Sequence, residues 1–340
     1  MPGNRITSVD VARAAGVSQA TVSRCFNNAE AVTPELRERI IEIANQLGYR
    51  RNALARSLVQ GRSSNVAVVS GNLANPFYAL ALEGMTRRLR EEGLGTLHFV
   101  PNGDSDVDAV LGQILEQQVD GVIINSISFN SARFAEMIER KIPTVLFNRT
   151  IADERVNFVA SDSLGGGRLA ATLLASVGHT RIGYIGGANA ASTDVERYEG
   201  FVERLRELKI KRPVRAEGRF TYEGGYSAAL ELLGAPDAPD AIFCANDMMA
   251  LGALDAARGE LGLRVPEDVS IMGYGDVPVG AWPAYSLTTI QPKLGELVDS
   301  AVRILVSLLR GRSTKITQLH VPGNVMIRKS VRSVESARLP

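Results

Sequence analysis

The sequence predicts a small all-helical domain followed by a large α/β body built as two lobes. Three observations predict it. The first fifty residues hold short, capped helical patterns and no strand pattern. From Val66 onward, β-branched runs alternate with helical stretches, the signature of parallel, doubly wound sheets. The body holds about twelve such elements, more than a single open sheet accommodates comfortably.

The first helix is announced by Thr7-Ser-Val-Asp10, a capping box with an acid three positions after a Thr cap. Val11, Ala12 and Ala15 give it a short apolar face, and Gly16 stops it. Ser18 caps a second helix over Gln19–Phe26, with Val22 and Phe26 one turn apart and facing inward. Two short helices joined by a tight glycine turn form a helix-turn-helix. In the third helix Thr33 is the cap, Pro34 the first helical residue, and Glu35 complements the dipole. Leu36, Ile40, Ile43 and Leu47 keep the helical spacing, and Gly48 ends it.

The outward side of the second helix carries Gln19, Ala20, Ser23 and Arg24. A surface helix normally carries Glu and Lys there. Short polar groups with one guanidinium suit a helix that enters the major groove, where Arg grips guanine and Gln pairs with adenine. Charge points the same way. Residues 1–62 hold nine arginines, no lysine and five acids, a balance of +4; the whole chain is +1, so the remainder is +1 − 4 = −3. A basic head on a slightly acidic body is an electrostatic footprint for nucleic acid.

The run Thr7-Ser-Val-Asp-Val-Ala-Arg-Ala-Ala-Gly-Val-Ser-Gln-Ala-Thr-Val-Ser-Arg24 resembles the N-terminal signature of the lactose-repressor (LacI/GalR) family. Cys25 stands where that family usually has an aliphatic residue. The resemblance implies a transcriptional regulator, expected to repress, that binds palindromic operator DNA as a homodimer under control of a small-molecule effector. It also implies that the two lobes take the periplasmic-binding-protein-like (type I) fold. The candidate DNA contacts are Ser18, Gln19, Ala20, Thr21, Arg24 and Asn27. Arg51–Leu58 follows, where Asn52 can cap a helix of about two turns, too short to be stable alone in water. Composition does not separate such a helix from an Arg-rich linker. The resemblance implies a hinge helix here that places Ala55 and Leu58 in the minor groove, Leu58 as an apolar wedge.

The body's strand candidates are Val66–Ser70, Gly95–Phe99, Val119–Ile124, Thr144–Phe147, Arg181–Ile185, Ala241–Cys244 and Val269–Gly273. Most are continuous apolar runs, as in strands covered on both faces. Helical patterns lie between them, among them Phe77–Glu92, Ser131–Arg140, Leu164–Val177, Asp194–Leu208, Met248–Arg258 and Leu294–Leu309. The expected organisation is a DNA-binding domain over 1–50, a hinge and linker over 51–62, and an effector and dimerisation domain over 63–340. Its N-lobe spans about 63–161 and 292–321, and its C-lobe about 162–291 and 322–334. The resemblance implies three crossings between lobes, near Ser161, Gln291 and Val321.

A ligand is expected in the cleft at the carboxyl ends of the strands. Polar and aromatic residues stand at several strand ends: Asn75-Pro-Phe77, Asn125-Ser126, Asn148-Arg149, Asp162, Arg197, Phe220, Asn246-Asp247 and Asp276. Capping stays open for Asp247, a helix start for Asn75-Pro-Phe77, and a loop-fixing role for Asp162. The resemblance implies ligand contacts at Asn148, Arg197, Phe220 and Asn246, with Arg197-Tyr-Glu-Gly-Phe201 fitting the family's Arg-x-x-Gly-aromatic pattern. Phe77, Ser126, Arg149 and Asp276 complete the candidate set. At Gly275 the chain departs from the family, which often has Asp or Asn there to bind sugar hydroxyls. A typical hexose is then in question, with Asp276 or Trp282 as compensation. The effector is expected among sugars, sugar acids and other small metabolites.

Two rival readings are a periplasmic sugar-binding protein, which shares the two-lobed fold, and an enzyme. The N-terminus lacks the apolar stretch of a signal peptide and no segment reads as membrane-spanning, so a cytoplasmic protein, on the nucleoid when bound to operator, is expected. Cys25 and Cys244 are too few for a disulfide framework, and with His98, His179 and His320 show no metal-ligand spacing. Gly183-Tyr-Ile-Gly-Gly187 is not a nucleotide-binding GxGxxG and reads as a tight turn after a strand. No cofactor, metal or catalytic residue is expected.

Overall fold

Short helices open the chain, and their sequence signals account for their ends. A computed structural model describes residues 6–27, 31–50, 62–71, 73–101, 106–125, 132–187 and 191–333. The chain divides into two units, Met1–Ser63 and Ser64–Pro340.

In the first unit, α1 (Ser8–Ala15) begins at the Thr7 capping box and ends at Gly16, whose φ of 63° is left-handed. The Thr7 amide donates to Asp10 Oδ2 at 2.9 Å and the Asp10 amide to Thr7 Oγ1 at 3.4 Å. Ser18 Oγ caps α2 (Gln19–Asn27) by accepting from the Thr21 amide at 3.1 Å. In α3 (Pro34–Gln46), Thr33 caps and Pro34 stands in the first turn. Val11, Ala12, Ala15, Val22, Cys25, Ile40 and Ala44 form the core. Leu36 and Ile43 pack against this core, but Leu47 caps α3 and is exposed, because the helix ends a residue before it. Cys25 fills the position of an aliphatic side chain, and burial pushes its thiol pKa up.

The second unit contains two six-stranded sheets. The first has the order β11-β5-β4-β3-β1-β2, all parallel, from β1 (Asn65–Ser70), β2 (Gly95–Phe99), β3 (Gly121–Asn125), β4 (Thr144–Phe147), β5 (Asn157–Ser161) and β11 (Gln318–Val321). Helices cover both faces, which is why the inner strands β1, β3, β4 and β5 are buried without alternation. Val66 and Val68 of β1 point to one face, packing with α4 (Pro76–Glu91) and α11 (Leu294–Leu309) through Met85, Leu89, Leu297 and Leu305. Ala67 and Val69 point to the other, against α5 (Val107–Glu116) and α6 (Ala132–Glu139) through Leu111, Ile114 and Met137.

The second sheet has the order β12-β10-β9-β8-β6-β7, with β12 antiparallel to β10. Its strands are β6 (Ile182–Gly186), β7 (Val214–Glu217), β8 (Ala241–Cys244), β9 (Ser270–Tyr274), β10 (Thr288–Gln291) and β12 (Asn324–Met326). Helices α7 (Ser163–Ser176), α8 (Ser192–Glu207), α9 (Tyr222–Leu233) and α10 (Asp247–Asp255) flank it around a core centred on Tyr184, Phe201 and Phe243. The chain passes from the first sheet to the second after Ser161, returns after Gln291, and crosses again after Val321. Gly183–Gly186 lie within β6 itself; only Gly187 leaves the strand.

Candidate functional site: a DNA-reading face and an inter-lobe cleft

On the first unit, Ser18, Gln19, Ala20, Ser23 and Arg24 are all exposed along α2, and Thr21 is half-buried. Gln19 is held from below, its Nε2 donating to Ser8 Oγ at 3.0 Å. Ser18 and Thr21 share a hydroxyl hydrogen bond of 2.9 Å. Arg24 donates through Nε to the Ala20 carbonyl at 3.4 Å, keeping the guanidinium beside the small Ala20 surface. The face has no acid and no bulky side chain among its described residues, so a groove can close over it. The side chain of Asn27 and the expected hinge residues Ala55 and Leu58 lie outside the described residues.

In the second unit, strand ends of both sheets converge on one cleft. Phe77 and Asn148 come from the first lobe, and Arg197, Phe220 and Asn246 from the second. Each is positioned by its own local structure. Asn75 Oδ1 accepts from the Phe77 amide at 3.1 Å, capping α4 and setting the Phe77 ring in the cleft wall. Asn148 has a left-handed φ of 52°, and its Oδ1 accepts from Ser161 Oγ at 3.0 Å. Asn246 caps α10, accepting from the Met249 amide at 2.9 Å, while its Nδ2 donates to the Phe220 carbonyl at 3.1 Å. Capping and ligand contact are therefore compatible at that residue: the cap fixes where the amide stands.

Arg197 is buried, with its guanidinium 3.4 Å from the centre of the Tyr274 ring. It donates to the Ala245 carbonyl and, through Nη2, to Ser163 Oγ at 3.3 Å, leaving Nε buried without a partner. An unmet donor on a buried cation calls for an acceptor. The Phe220 ring rests on Gly187, where an added Cβ would stand 2.1 Å from a ring atom. Only glycine fits there, which explains the Gly-Gly pair of the sequence. Asp194, fully buried, holds that glycine by accepting from its amide at 3.0 Å while pairing with Arg215 at 2.9 Å.

The structure does not bring Arg149, Asp276 and Trp282 into this group. Arg149 lies behind the wall, donating to Thr193 Oγ1 at 3.1 Å and Tyr78 Oη at 3.3 Å. It ties the lobes together, because Thr193 begins α8 of the second lobe and Tyr78 belongs to α4 of the first. The neighbouring Thr150 amide does the same to Ser192 Oγ at 3.2 Å. Asp276 points toward the chain crossings, where it accepts from Gln291 Nε2 at 2.6 Å and pairs with Arg328 at 2.6 Å. Trp282 is 58% exposed, outside the cleft. Ser126 lies outside the described residues, and Asp162 caps α7 through the Gly165 amide at 2.8 Å.

Sequence reasoning missed Tyr78, Thr193 and Tyr274 in the cleft wall. Tyr274 ends β9, so the strand-end rule could have found it; Thr193 carried no signal. Asp247 forms part of the floor, its oxygens accepting from Thr289 Oγ1 at 2.6 Å and the Val277 amide at 2.8 Å. Burial pushes its carboxyl pKa up to about 6 against those stabilising donors. Among the described residues there is no cluster of metal ligands, and no helix is long and apolar enough to cross a membrane.

A helix-turn-helix presenting a polar, acid-free recognition face, carried with a two-lobed body that gathers polar and aromatic groups in its cleft, defines a ligand-binding, DNA-binding regulator. Residues 7–52 match the lacI family of bacterial regulatory proteins, and residues 171–331 match a periplasmic binding protein-like domain. The HTH-type transcriptional regulator CelR of Thermobifida fusca is 34% identical over 94% of this chain and 96% of its own length. The HTH-type transcriptional repressor PurR of Pasteurella multocida is 31% identical over 96% of this chain and 99% of its own. Among solved structures, a CelR–cellobiose complex covers 96% of this chain and 100% of its own at a TM-score of 0.74 and 32% identity. The lac repressor dimer bound to operator and the anti-inducer ONPF covers 97% and 100% at a TM-score of 0.87 and 27% identity. The chain belongs to the lacI family of bacterial regulatory proteins and is a DNA-binding transcriptional regulator.

Proposed function

We propose that this regulator binds a palindromic operator as a homodimer, as a repressor acting in the cytoplasm, and that a small polyhydroxylated effector in the inter-lobe cleft sets its operator affinity. It is a binding protein in this reading and not an enzyme. The observation that carries it is the convergence of Phe77 and Asn148 from one lobe with Arg197, Phe220 and Asn246 from the other. A ligand touching both lobes changes their relative stability in one arrangement over another, and only such differential contact can shift an equilibrium. Phe77 and Phe220 offer apolar faces to a sugar ring, while Arg197 and Asn148 offer donors to its oxygens. The CelR–cellobiose complex and the lac repressor–operator complex support the sugar class and the dimer. On the DNA side, Gln19, Ala20 and Arg24 read bases, with Ser18, Thr21 and Asn27 beside them. Ala55 and Leu58 enter the minor groove. Gel mobility with operator DNA tests this directly: removing residues 1–62 abolishes the shift, and a retained shift would show that another surface binds DNA.

A further inference from the structure

The cleft wall offers donors and has few acceptors left to give. Every carboxyl and carboxamide oxygen among its described residues is already engaged. Asn75 Oδ1 accepts from the Phe77 amide, Asn148 Oδ1 from Ser161 Oγ, and Asn246 Oδ1 from the Met249 amide. Asp247, the single acid among those residues, receives Thr289 Oγ1 on one oxygen and the Val277 amide on the other. The Tyr78 and Thr193 hydroxyls accept from Arg149. Gly275 adds no side chain, and its φ of 142° is one that other residues rarely adopt. Asn125 Oδ1, a buried acceptor without a partner at the end of β3, is not part of this wall.

What remains unmet are donors. Arg197 Nε and the Tyr274 hydroxyl are buried without partners, each on a residue only 4% exposed. The guanidinium lies 3.4 Å from the centre of the Tyr274 ring, so both groups belong to one spot. Arg197 donates to a carbonyl and a hydroxyl, and meets no carboxylate among the described residues. With their oxygens engaged, Asn75 and Asn148 have only Nδ2 left to offer. A neutral hydroxyl brings a proton as well as lone pairs, and that proton would find the carboxyl and carboxamide oxygens taken. A carboxylate only accepts, and it supplies the opposite charge that a buried guanidinium calls for. Size agrees. The compartment holds about 40 Å³, or about three water-sized spheres, the bulk of one carboxylate group. About 360 Å³ more adjoins it across Phe77, Gly275, Val277 and Pro292, where Gln291, Lys293 and Glu296 can meet the hydroxyls of the remainder.

Resting on the reading of the cleft as the effector site, we propose that the effector is a polyhydroxylated carboxylate whose carboxylate group seats against Arg197, Tyr274 and Asn148. Titration calorimetry of the full chain with D-gluconate and D-glucuronate, each against its own carboxamide, tests this, with glucose, cellobiose and glucose 6-phosphate beside them. An acid binds at least about tenfold more tightly than its amide, the advantage of a hydrogen bond to a charged group. Arg197→Gln abolishes that preference. Tyr274→Phe keeps the ring beneath Arg197, removes one donor, and weakens the acid more than the amide. Because that hydroxyl has no partner in the free protein, the variant keeps its melting temperature, which separates a lost ligand contact from a folding defect. An amide bound as tightly as its acid, or a preference for the acid that survives Arg197→Gln, overturns this inference and leaves the cleft reading standing. Tightest binding of glucose, cellobiose or glucose 6-phosphate does the same. Binding of none of these probes overturns the cleft reading as well.

Discussion

Replacing Asp247 with Asn removes a buried carboxylate while keeping its shape. The new amide oxygen can accept from the Val277 amide, and the new NH2 can donate to Thr289 Oγ1, whose proton then turns to the Ile290 carbonyl 3.4 Å away. In the native protein burial raises this acid from its usual 3.8 to about 6, with Asp276 adding to the rise and Thr289, Val277 and Arg328 opposing it. The folded state therefore binds the proton more tightly than the unfolded chain does. The resulting stability is fully present below about pH 4 and is lost as pH rises through about 6. At about 1.4 kcal/mol per tenfold change, the full loss is about 3 kcal/mol, and about half of it falls between pH 5 and 8. Urea unfolding of wild type and Asp247→Asn at pH 5, 6, 7 and 8 isolates this group, since every other titration is common to both. The stability of the variant relative to wild type should rise by about 1 kcal/mol across that window. A flat difference would refute the claim that Asp247 folds as a desolvated, titrating acid.

Arg24→Ala should weaken operator binding by about 1–3 kcal/mol and relax preference at one base pair per half-site, read by mobility shifts on operator variants. Equal weakening on all sequences would reduce Arg24 to a phosphate contact. Arg149→Ala leaves Thr193 and Tyr78 without their shared donor. It should cost about 1–3 kcal/mol of stability and loosen the lobes, seen as faster hydrogen exchange at 192–197; unchanged exchange there would deny the bridge. His179→Ala unties Asp240 at 3.1 Å and Ser270 at 2.8 Å and should lower stability by about 2–4 kcal/mol, with operator specificity intact. A stability unchanged within error would remove that network from the account.

Much of the fold was legible because its cues are local. Thr7, Asp10 and Gly16 mark α1 within nine residues, and the apolar runs of β1, β3 and β4 follow from burial on both faces. Strands β7, β10, β11 and β12 escaped notice because they hold only three or four residues with mixed burial or polar content, and pairing with a distant strand defines them; the fully buried β5 escaped as well, its short apolar run being bounded by Asn157 and Ser161. The cleft divides in the same way. Asn148, Phe220 and Asn246 sit at strand ends or helix starts, where both local pattern and family resemblance mark them, and Phe77 at a helix start that local pattern alone marks. For Arg149 and Asp276 the sequence shows only polar groups after strands; their partners Thr193 and Arg328 lie 44 and 52 residues away, and nothing local shows that they engage them. Gly275 was visible as a departure, but its place in the cleft wall beside Asp247 emerges only when both lobes are assembled.

Coupling between the cleft and the DNA is the claim on which the functional account stands. The direct measurement takes operator DNA recovered by selection from a random pool and titrates it by fluorescence anisotropy, with and without a saturating saccharide bound in the cleft. The account predicts a palindromic site, an affinity change of roughly 5–150-fold in wild type, and loss of that response in Arg197→Ala/Phe220→Ala, which binds the same DNA normally when no saccharide is present. A saccharide that binds tightly yet leaves operator affinity unchanged, or a double variant that still responds, would contradict it.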